Sequence, residues 1–158
     1  MKYLKNFRQM NENQKQWRSG GGLINTTDQK NDYSNKDLTS LKPLDLPIRI
    51  DTDLIVSKNN QLKNLDGCPT TVDGDFYCTD IVSANEFSLE GGPEYVNGNY
   101  DISHIRSLIS LDGHPREIHG NFICKGHHSR LEADIKKLMN SNVVKGKFVT
   151  SIGNNWHI

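Results

Sequence analysis

The sequence predicts a mainly β protein: a short parallel β-solenoid of about five turns, with a helix near the N-terminus and another inserted near the C-terminus. Two observations lead to this prediction. One motif recurs along the middle of the chain, and each copy ends in a segment that alternates apolar and polar side chains. Such repeats are typical of solenoids, because a single unit buries its apolar face only when the next unit stacks on it.

The recurring motif is Leu-[Asp/Glu]-Gly-x-Pro-x-x-[Val/Ile]-x-Gly-[Asp/Asn]-[Phe/Tyr]-x-[Cys/Ile]. It occupies residues 65–78, 89–102 and 111–124, and weaker copies stand at residues 47–56 and 144–150. The aliphatic position of the motif is filled in turn by Ile50, Val72, Val96, Ile118 and Val144. These positions are separated by 22, 24, 22 and 26 residues, so the sequence indicates five turns.

Length and composition indicate one domain with a modest core, since the chain has 158 residues and is 34% hydrophobic. The formal net charge is zero, so no strong overall field favours a nucleic acid or a membrane. No apolar run approaches the ~20 residues that cross a bilayer, and the start lacks the apolar segment of a secretory signal, so we expect a soluble, intracellular protein. Three cysteines without a Cys-x-x-Cys pair disfavour a disulfide framework.

Residues 1–36 form a polar N-terminal cap, arm or linker, distinct from the repeats of residues 37–158. Within residues 1–18, apolar side chains at helical spacing alternate with basic ones, which predicts an amphipathic helix. That segment either covers the first turn, serves as a detachable arm for a partner or an acidic surface, or is disordered. Residues 23–36 are rich in Asn, Asp, Thr and Ser and are expected to be a loop or linker.

In every turn the segment after the second motif glycine reads as a short strand with one buried face. The inward pairs are Leu54 and Val56, Phe76 and Cys78, Tyr100 and Ile102, Phe122 and Cys124, and Phe148 and Thr150. Stacked turns align these strands in one parallel sheet. The glycine before each strand permits either a positive φ or a close approach of two backbones.

A helix is expected around residues 130–140. Ser129 and Glu132 have the spacing of a capping box, and Leu131, Ile135 and Leu138 follow at helical spacing. Near the end of the chain, Trp156 is expected to cover the core, with an exposed aromatic contact as the alternative.

Residues 46–65 resemble the short bacterial type of leucine-rich repeat, with the pattern Leu-Pro-x-x-Ile-x-x-x-Leu-x-Val-x-x-Asn-x-x-Leu-x-x-Leu. The repeated Leu-[Asp/Glu]-Gly-x-Pro motif is similar to repeats in proteins of large tailed bacteriophages, and the resemblance covers residues 44–151. It implies a leucine-rich-repeat-like solenoid, a phage origin and action in the host cytoplasm. It leaves the curvature of the solenoid and its oligomeric state open.

One cluster of residues is a candidate for a metal site or for nucleophilic catalysis, namely Cys124 with His127 and His128. The repeat register argues against it, because Cys78 and Cys124 occupy inward positions held by Val56 and Ile102 in other turns. We therefore expect no metal, no cofactor and no catalysis.

The outward residues of the strands are the candidate binding site, and they form columns. The middle column consists of Ile55, Tyr77, Asp101, Ile123 and Val149 and is apolar for a solvated face. Beside it runs a column of Asp53, Asp75, Asn99 and Asn121 that ends at Lys147. The middle column either contacts a partner or is covered by residues 1–36 or by the inserted helix; the Asp and Asn residues either join that contact or bond to neighbouring backbone.

The leading functional hypothesis is a non-catalytic protein-binding module that inhibits or modulates a bacterial host protein. A virion structural or assembly protein is the second hypothesis, and a metal-dependent enzyme is the third. Nucleic-acid binding through the basic N-terminus is the weakest, and no membrane partner is expected.

Overall fold

The computed structural model describes residues 31–83, 85–126 and 129–151. These residues form a mostly β structure in which parallel strands make two sheets and one short α-helix lies near the C-terminal end. The larger sheet contains, in spatial order, β1 (Asn31–Asp32), β3 (Leu54–Ile55), β5 (Phe76–Tyr77), β7 (Tyr100–Asp101), β9 (Phe122–Cys124) and β10 (Phe148–Thr150). The smaller sheet contains β2 (Arg49–Ile50), β4 (Thr71–Val72), β6 (Tyr95–Val96) and β8 (Glu117–Ile118).

The chain alternates between the two sheets, and its register follows the sequence motif. In the six-stranded sheet Phe76 lies opposite Leu54 and Tyr100. Phe122 likewise lies opposite Tyr100 and Phe148. Each motif position therefore stacks on its counterpart in the next copy, as the alignment of the copies predicted.

The core lies between the two sheets and is continuous along the stack. Phe76, Tyr100, Phe122 and Phe148 form a column of rings with centroid separations of 5.2, 6.2 and 5.5 Å. Leu54, Val56, Cys78, Ile102 and Cys124 are fully buried among them. The predicted inward face of these strands is confirmed for every one of these residues. Thr150 is only partly buried, so the last predicted inward pair is incomplete.

The smaller sheet was not predicted. Its strands carry the aliphatic motif positions Ile50, Val72, Val96 and Ile118, all buried, and Val144 continues the column through a bridge to Ile118. Each of these strands has two residues, which is too short to show an alternating pattern in the sequence.

Strand β1 corrects the expectation that residues 23–36 are a loop throughout. Asn31 donates its N–H to the Asp53 carbonyl at 3.1 Å, and Tyr33 donates to the Ile55 carbonyl at 2.8 Å. These bonds use backbone alone, so the polar side chains of this segment gave no sequence signal for a strand.

The predicted helix in residues 1–18, together with His127, His128 and Trp156, lies outside the described residues.

The inserted helix is confirmed. A 3₁₀ turn over Ser129–Leu131 leads into helix α1 (Glu132–Met139), whose residues Ile135 and Leu138 are buried. The Asp134 carboxylate accepts the Leu111 N–H at 2.9 Å and ties the helix to the preceding turn of chain. The predicted capping box is wrong, because α1 begins after Leu131 and no side chain caps its first turn.

The glycine before each of the strands β5, β7, β9 and β10 serves a close approach of backbones. Gly98 donates its N–H to the Gly74 carbonyl and accepts the Gly120 N–H, each at 3.0 Å. A Cβ at Gly98 would lie 2.6 Å from the Gly74 carbonyl carbon, so a side chain here would force neighbouring strand segments apart.

In the part of the chain that the structure describes, no helix is long and apolar enough to cross a membrane.

Candidate protein-binding face

The outward side of the six-stranded sheet brings the predicted middle column together. Strand pairing sets Ile55 beside Tyr77, Tyr77 beside Asp101, Asp101 beside Ile123 and Ile123 beside Val149. All five side chains are partly exposed. Strand β1 extends the column by placing Asp32 beside Ile55. We call the outward surface of this sheet, with its flanking residues, the strand face.

One flank of the strand face is a ladder of side chains bonded to backbone. The Asp53 carboxylate accepts the Asp75 N–H at 2.8 Å, and the Asp75 carboxylate accepts the Asn99 N–H at 2.6 Å. The Asn99 side-chain oxygen accepts the Asn121 N–H, and that of Asn121 accepts the Lys147 N–H, both at 2.9 Å. This geometry gives the Asp and Asn column a structural role; a contact between these residues and a partner stays a prediction.

The opposite flank is a second ladder, built on hydroxyl groups, that sequence reasoning missed. The Ser57 hydroxyl accepts the Thr79 N–H, and the Ser103 hydroxyl accepts the Lys125 N–H, both at 3.0 Å. At the end of the stack, the Ser151 hydroxyl accepts the Gly126 N–H at 2.9 Å. The signal in the sequence was a hydroxyl residue in four of the five motif copies, four positions after Asp53, Asp75, Asn99 and Lys147.

The two ladders make the strand face rigid on both sides of the middle column. Backbone N–H groups that leave the sheet would otherwise need water or another acceptor. Because the flanking side chains accept several of these N–H groups, the contact between neighbouring strands extends beyond their two or three paired residues. The middle column is therefore presented on a surface whose shape is set before any partner arrives.

Tyr77 lies at the most acidic part of the strand face. Its hydroxyl donates to the Asp75 carboxylate at 2.7 Å. That hydrogen bond, then partial burial, then the charges of Asp75, Asp53 and Asp101 raise the pKa of Tyr77 to about 12. The hydrogen bond to Asp75 orients the Tyr77 ring, and the raised pKa keeps the hydroxyl protonated into the alkaline range.

Charge is balanced differently on the two sheets. On the smaller sheet Arg49 pairs with Asp73 at 2.7 Å, and Arg116 pairs with Glu94 at 3.3 Å. The hydrogen bond from Arg49 is the main reason that the pKa of Asp73 is lowered.

On the strand face, by contrast, Asp75 accepts from the Tyr77 hydroxyl and the Asn99 amide, and Asp101 accepts from the Ser103 amide. Among the described residues neither Asp75 nor Asp101 forms a salt bridge. The strand face thus keeps negative charge around Tyr77, whereas its far end carries Lys147.

The cysteines lie in the core, away from this surface. Cys78 and Cys124 are fully buried, and Cys68 is partly buried. Burial raises the pKa of Cys124 and of Cys68 to about 12, so these thiols are protonated at neutral pH. In residues 31–83, 85–126 and 129–151 no group of three or more His, Cys, Asp or Glu side chains could hold a metal ion.

Comparisons of the chain with protein-family models, with curated proteins and with solved structures found no match.

Proposed function

We propose that the chain is a non-catalytic protein-binding module, built as a leucine-rich-repeat-like β-solenoid of five turns, that contacts its partner through the middle column. The alternation of strands between two parallel sheets around one core supports the solenoid. The resemblance of the repeats to those of phage proteins supports a bacterial host protein in the host cytoplasm as the partner, inhibited or modulated by binding.

The observation that carries the proposal is a partly exposed, mostly apolar column between two ladders that fix its backbone. Ile55, Tyr77, Ile123 and Val149 offer apolar surface, and Asp101 supplies a charge among them. Binding through such a face costs little conformational entropy, because the backbone is already ordered. Tyrosine is also one of the residue types in which the binding energy of protein interfaces is concentrated.

The test is affinity capture from lysate of the bacterial host, comparing wild type with the Tyr77→Ala, Ile123→Ala double variant. A captured host protein is then purified, and its Kd is measured for both chains. We expect the double variant to bind at least ~100-fold more weakly, since two central contacts of ~2 kcal/mol or more would be lost. Thermal unfolding confirms that the variant is folded.

A matched control changes the other sheet. The Thr71→Ala, Tyr95→Ala variant alters adjacent outward residues of β4 and β6, where Tyr95 is 39% exposed. We expect its Kd to equal that of wild type. Loss of binding in this control, with binding kept in the strand-face variant, would move the contact to the smaller sheet. Capture of virion proteins or of further copies of the chain alone would favour an assembly role.

A further inference from the structure

We propose that residues 1–18 of this chain bind the strand face in the free protein and compete there with the partner. The inference rests on the proposed function, because it names what occupies the same surface before the partner arrives. Four observations lead to it: the charge of the segment, the charge of the face, the apolar residues on both, and the point at which the described chain begins.

The segment and the rest of the chain carry opposite charge. Residues 1–18 contain five basic residues and one acidic residue, a net charge of +4. The whole chain sums to zero, so residues 19–158 carry −4. The basic residues are Lys2, Lys5, Arg8, Lys15 and Arg18.

The strand face carries carboxylates, those of Asp75 and Asp101, that form no salt bridge among the described residues. Within residues 31–83, 85–126 and 129–151, the hydrogen-bond donors to Asp75 and Asp101 are neutral groups. On the smaller sheet, arginines already pair with Asp73 and Glu94. A cationic segment therefore gains more by approaching Asp75 and Asp101 than by approaching the smaller sheet.

Both surfaces also carry matching apolar groups. The segment contains Tyr3, Phe7, Met10 and Trp17, interleaved with its basic residues. The middle column offers Ile55, Ile123 and Val149 on either side of the acidic centre. One segment can thus cover apolar surface and neutralise charge in the same contact.

The described chain begins at the edge of the same sheet. Asn31, the first residue of β1, donates its N–H to the backbone carbonyl of Asp53. The 12 residues between Arg18 and Asn31 span up to ~40 Å when extended. Six strands at ~4.8 Å spacing cover only ~24 Å, so the tether reaches every strand. A short tether also raises the effective concentration of residues 1–18 at the strand face to the millimolar range. A contact of low affinity is then enough to occupy the face.

The experiment uses the full chain with the photo-crosslinking residue benzoylphenylalanine in place of Phe7. After irradiation, mass spectrometry maps the crosslinked residues. We expect crosslinks to concentrate on β3, β5, β7 and β9 of the strand face. We expect them to fall at least fivefold when Lys2, Lys5, Arg8, Lys15 and Arg18 are all changed to Gln, and equally when Asp75→Asn and Asp101→Asn are combined.

A matched control removes two carboxylates from the smaller sheet, through Glu94→Gln and Glu117→Gln. Crosslinking to the strand face should be unchanged in that variant. The inference is overturned if the crosslinks concentrate on the smaller sheet. It is also overturned if their yield is the same in wild type and in the Asp75→Asn, Asp101→Asn variant. Mixing isotopically light and heavy chains separates contacts within one chain from contacts between copies, and crosslinks found only between copies also overturn it.

Partner binding separates this inference from the proposed function. If residues 1–18 compete with the partner, the five-Gln variant binds the purified partner at least threefold more tightly than wild type. An unchanged Kd in that variant, together with loss of binding in Tyr77→Ala, Ile123→Ala, refutes competition and keeps the proposed function. A different outcome is strand-face crosslinks together with a Kd that is unchanged by Tyr77→Ala, Ile123→Ala. That result supports the intramolecular contact and refutes the proposed function.

Discussion

The hydroxyl of Tyr100 lies inside the column of aromatic rings. The residue is fully buried between Phe76 and Phe122, and its oxygen has no hydrogen-bond partner among the described residues. Burial is the largest cause that keeps its pKa well above the ordinary value. A hydroxyl buried without a partner costs free energy, because it gave up its bonds to water.

We therefore predict that Tyr100→Phe stabilises the protein by about 1 kcal/mol, since it removes the unpaired group and keeps the ring. Urea unfolding of the two chains measures the difference. Tyr77→Phe is the matched control: it removes a hydroxyl that does have a partner, so it should not stabilise. A Tyr100→Phe chain less stable than wild type would mean that the Tyr100 hydroxyl bonds to a buried water molecule.

Tyr77 makes stability depend on pH in the alkaline range. Its pKa is raised from 10.0 to about 12 in the folded state. The folded chain therefore holds this proton more tightly than the unfolded chain does. The contribution is fully present below pH 10 and is lost as the pH rises through about 12.

The measurement is the unfolding free energy between pH 9 and pH 12 for wild type and Tyr77→Phe. Other groups titrate in both chains, so the difference between the two curves isolates Tyr77. We expect the wild-type curve to fall more steeply above pH 10. Parallel curves would show that the hydrogen bond to Asp75 does not hold the proton in solution.

Among the elements, the Asp and Asn ladder joins each strand to the next. Asn99 lies at the centre of this ladder. Its N–H donates to the Asp75 carboxylate, and its side-chain oxygen accepts the Asn121 N–H. The same position is Asp in some turns and Asn in others, because the bond needs only an oxygen acceptor. This explains a residue choice that sequence reasoning could not assign to structure or to binding.

We predict that Asn99→Ala destabilises the protein by ~1–2 kcal/mol, because the Asn121 N–H loses its acceptor. Asn99→Asp keeps an oxygen in place and should cost clearly less. Chemical denaturation of both variants tests the difference. Equal losses in the two variants would show that packing at this position, rather than the acceptor, stabilises the ladder.

At the scale of the molecule, the described strands of the larger sheet differ in how many neighbours they pair with. Strand β7 is paired on both sides, with β5 and β9, whereas β1 pairs with β3 alone among the described strands. Local opening is easiest where fewest contacts must break. The stability of the backbone should therefore decrease from the middle of the stack toward its ends.

Native-state hydrogen exchange tests this gradient. The Tyr100 and Ile102 amides, bonded to the carbonyls of Asn121 and Ile123, should exchange most slowly. The Asn31 and Tyr33 amides on the first strand should exchange at least ~10-fold faster, a difference of ~1.4 kcal/mol in opening free energy. Uniform protection across the sheet would instead show that all amides exchange only through global unfolding.

The sequence by itself determined the repeat register and the inward face of the larger sheet. Phe76, Tyr100 and Phe122 occupy the same position in successive copies of the motif. Large apolar side chains at a repeated position are buried when neighbouring copies pack against one another. The same logic predicted α1 from Ile135 and Leu138, and it placed Tyr77 and Ile123 in one outward column, on either side of Asp101.

Only the tertiary structure decided the second sheet, strand β1 and the two ladders. Ile50 and Val72 were recognised as apolar anchors, but their pairing depends on backbone bonds that side-chain pattern does not record. Asn31 joins the sheet for the same reason. The roles of Asp75 and Ser57 follow from an N–H on the neighbouring strand segment, more than 20 residues away in sequence, and such a partner exists only once the strands have paired.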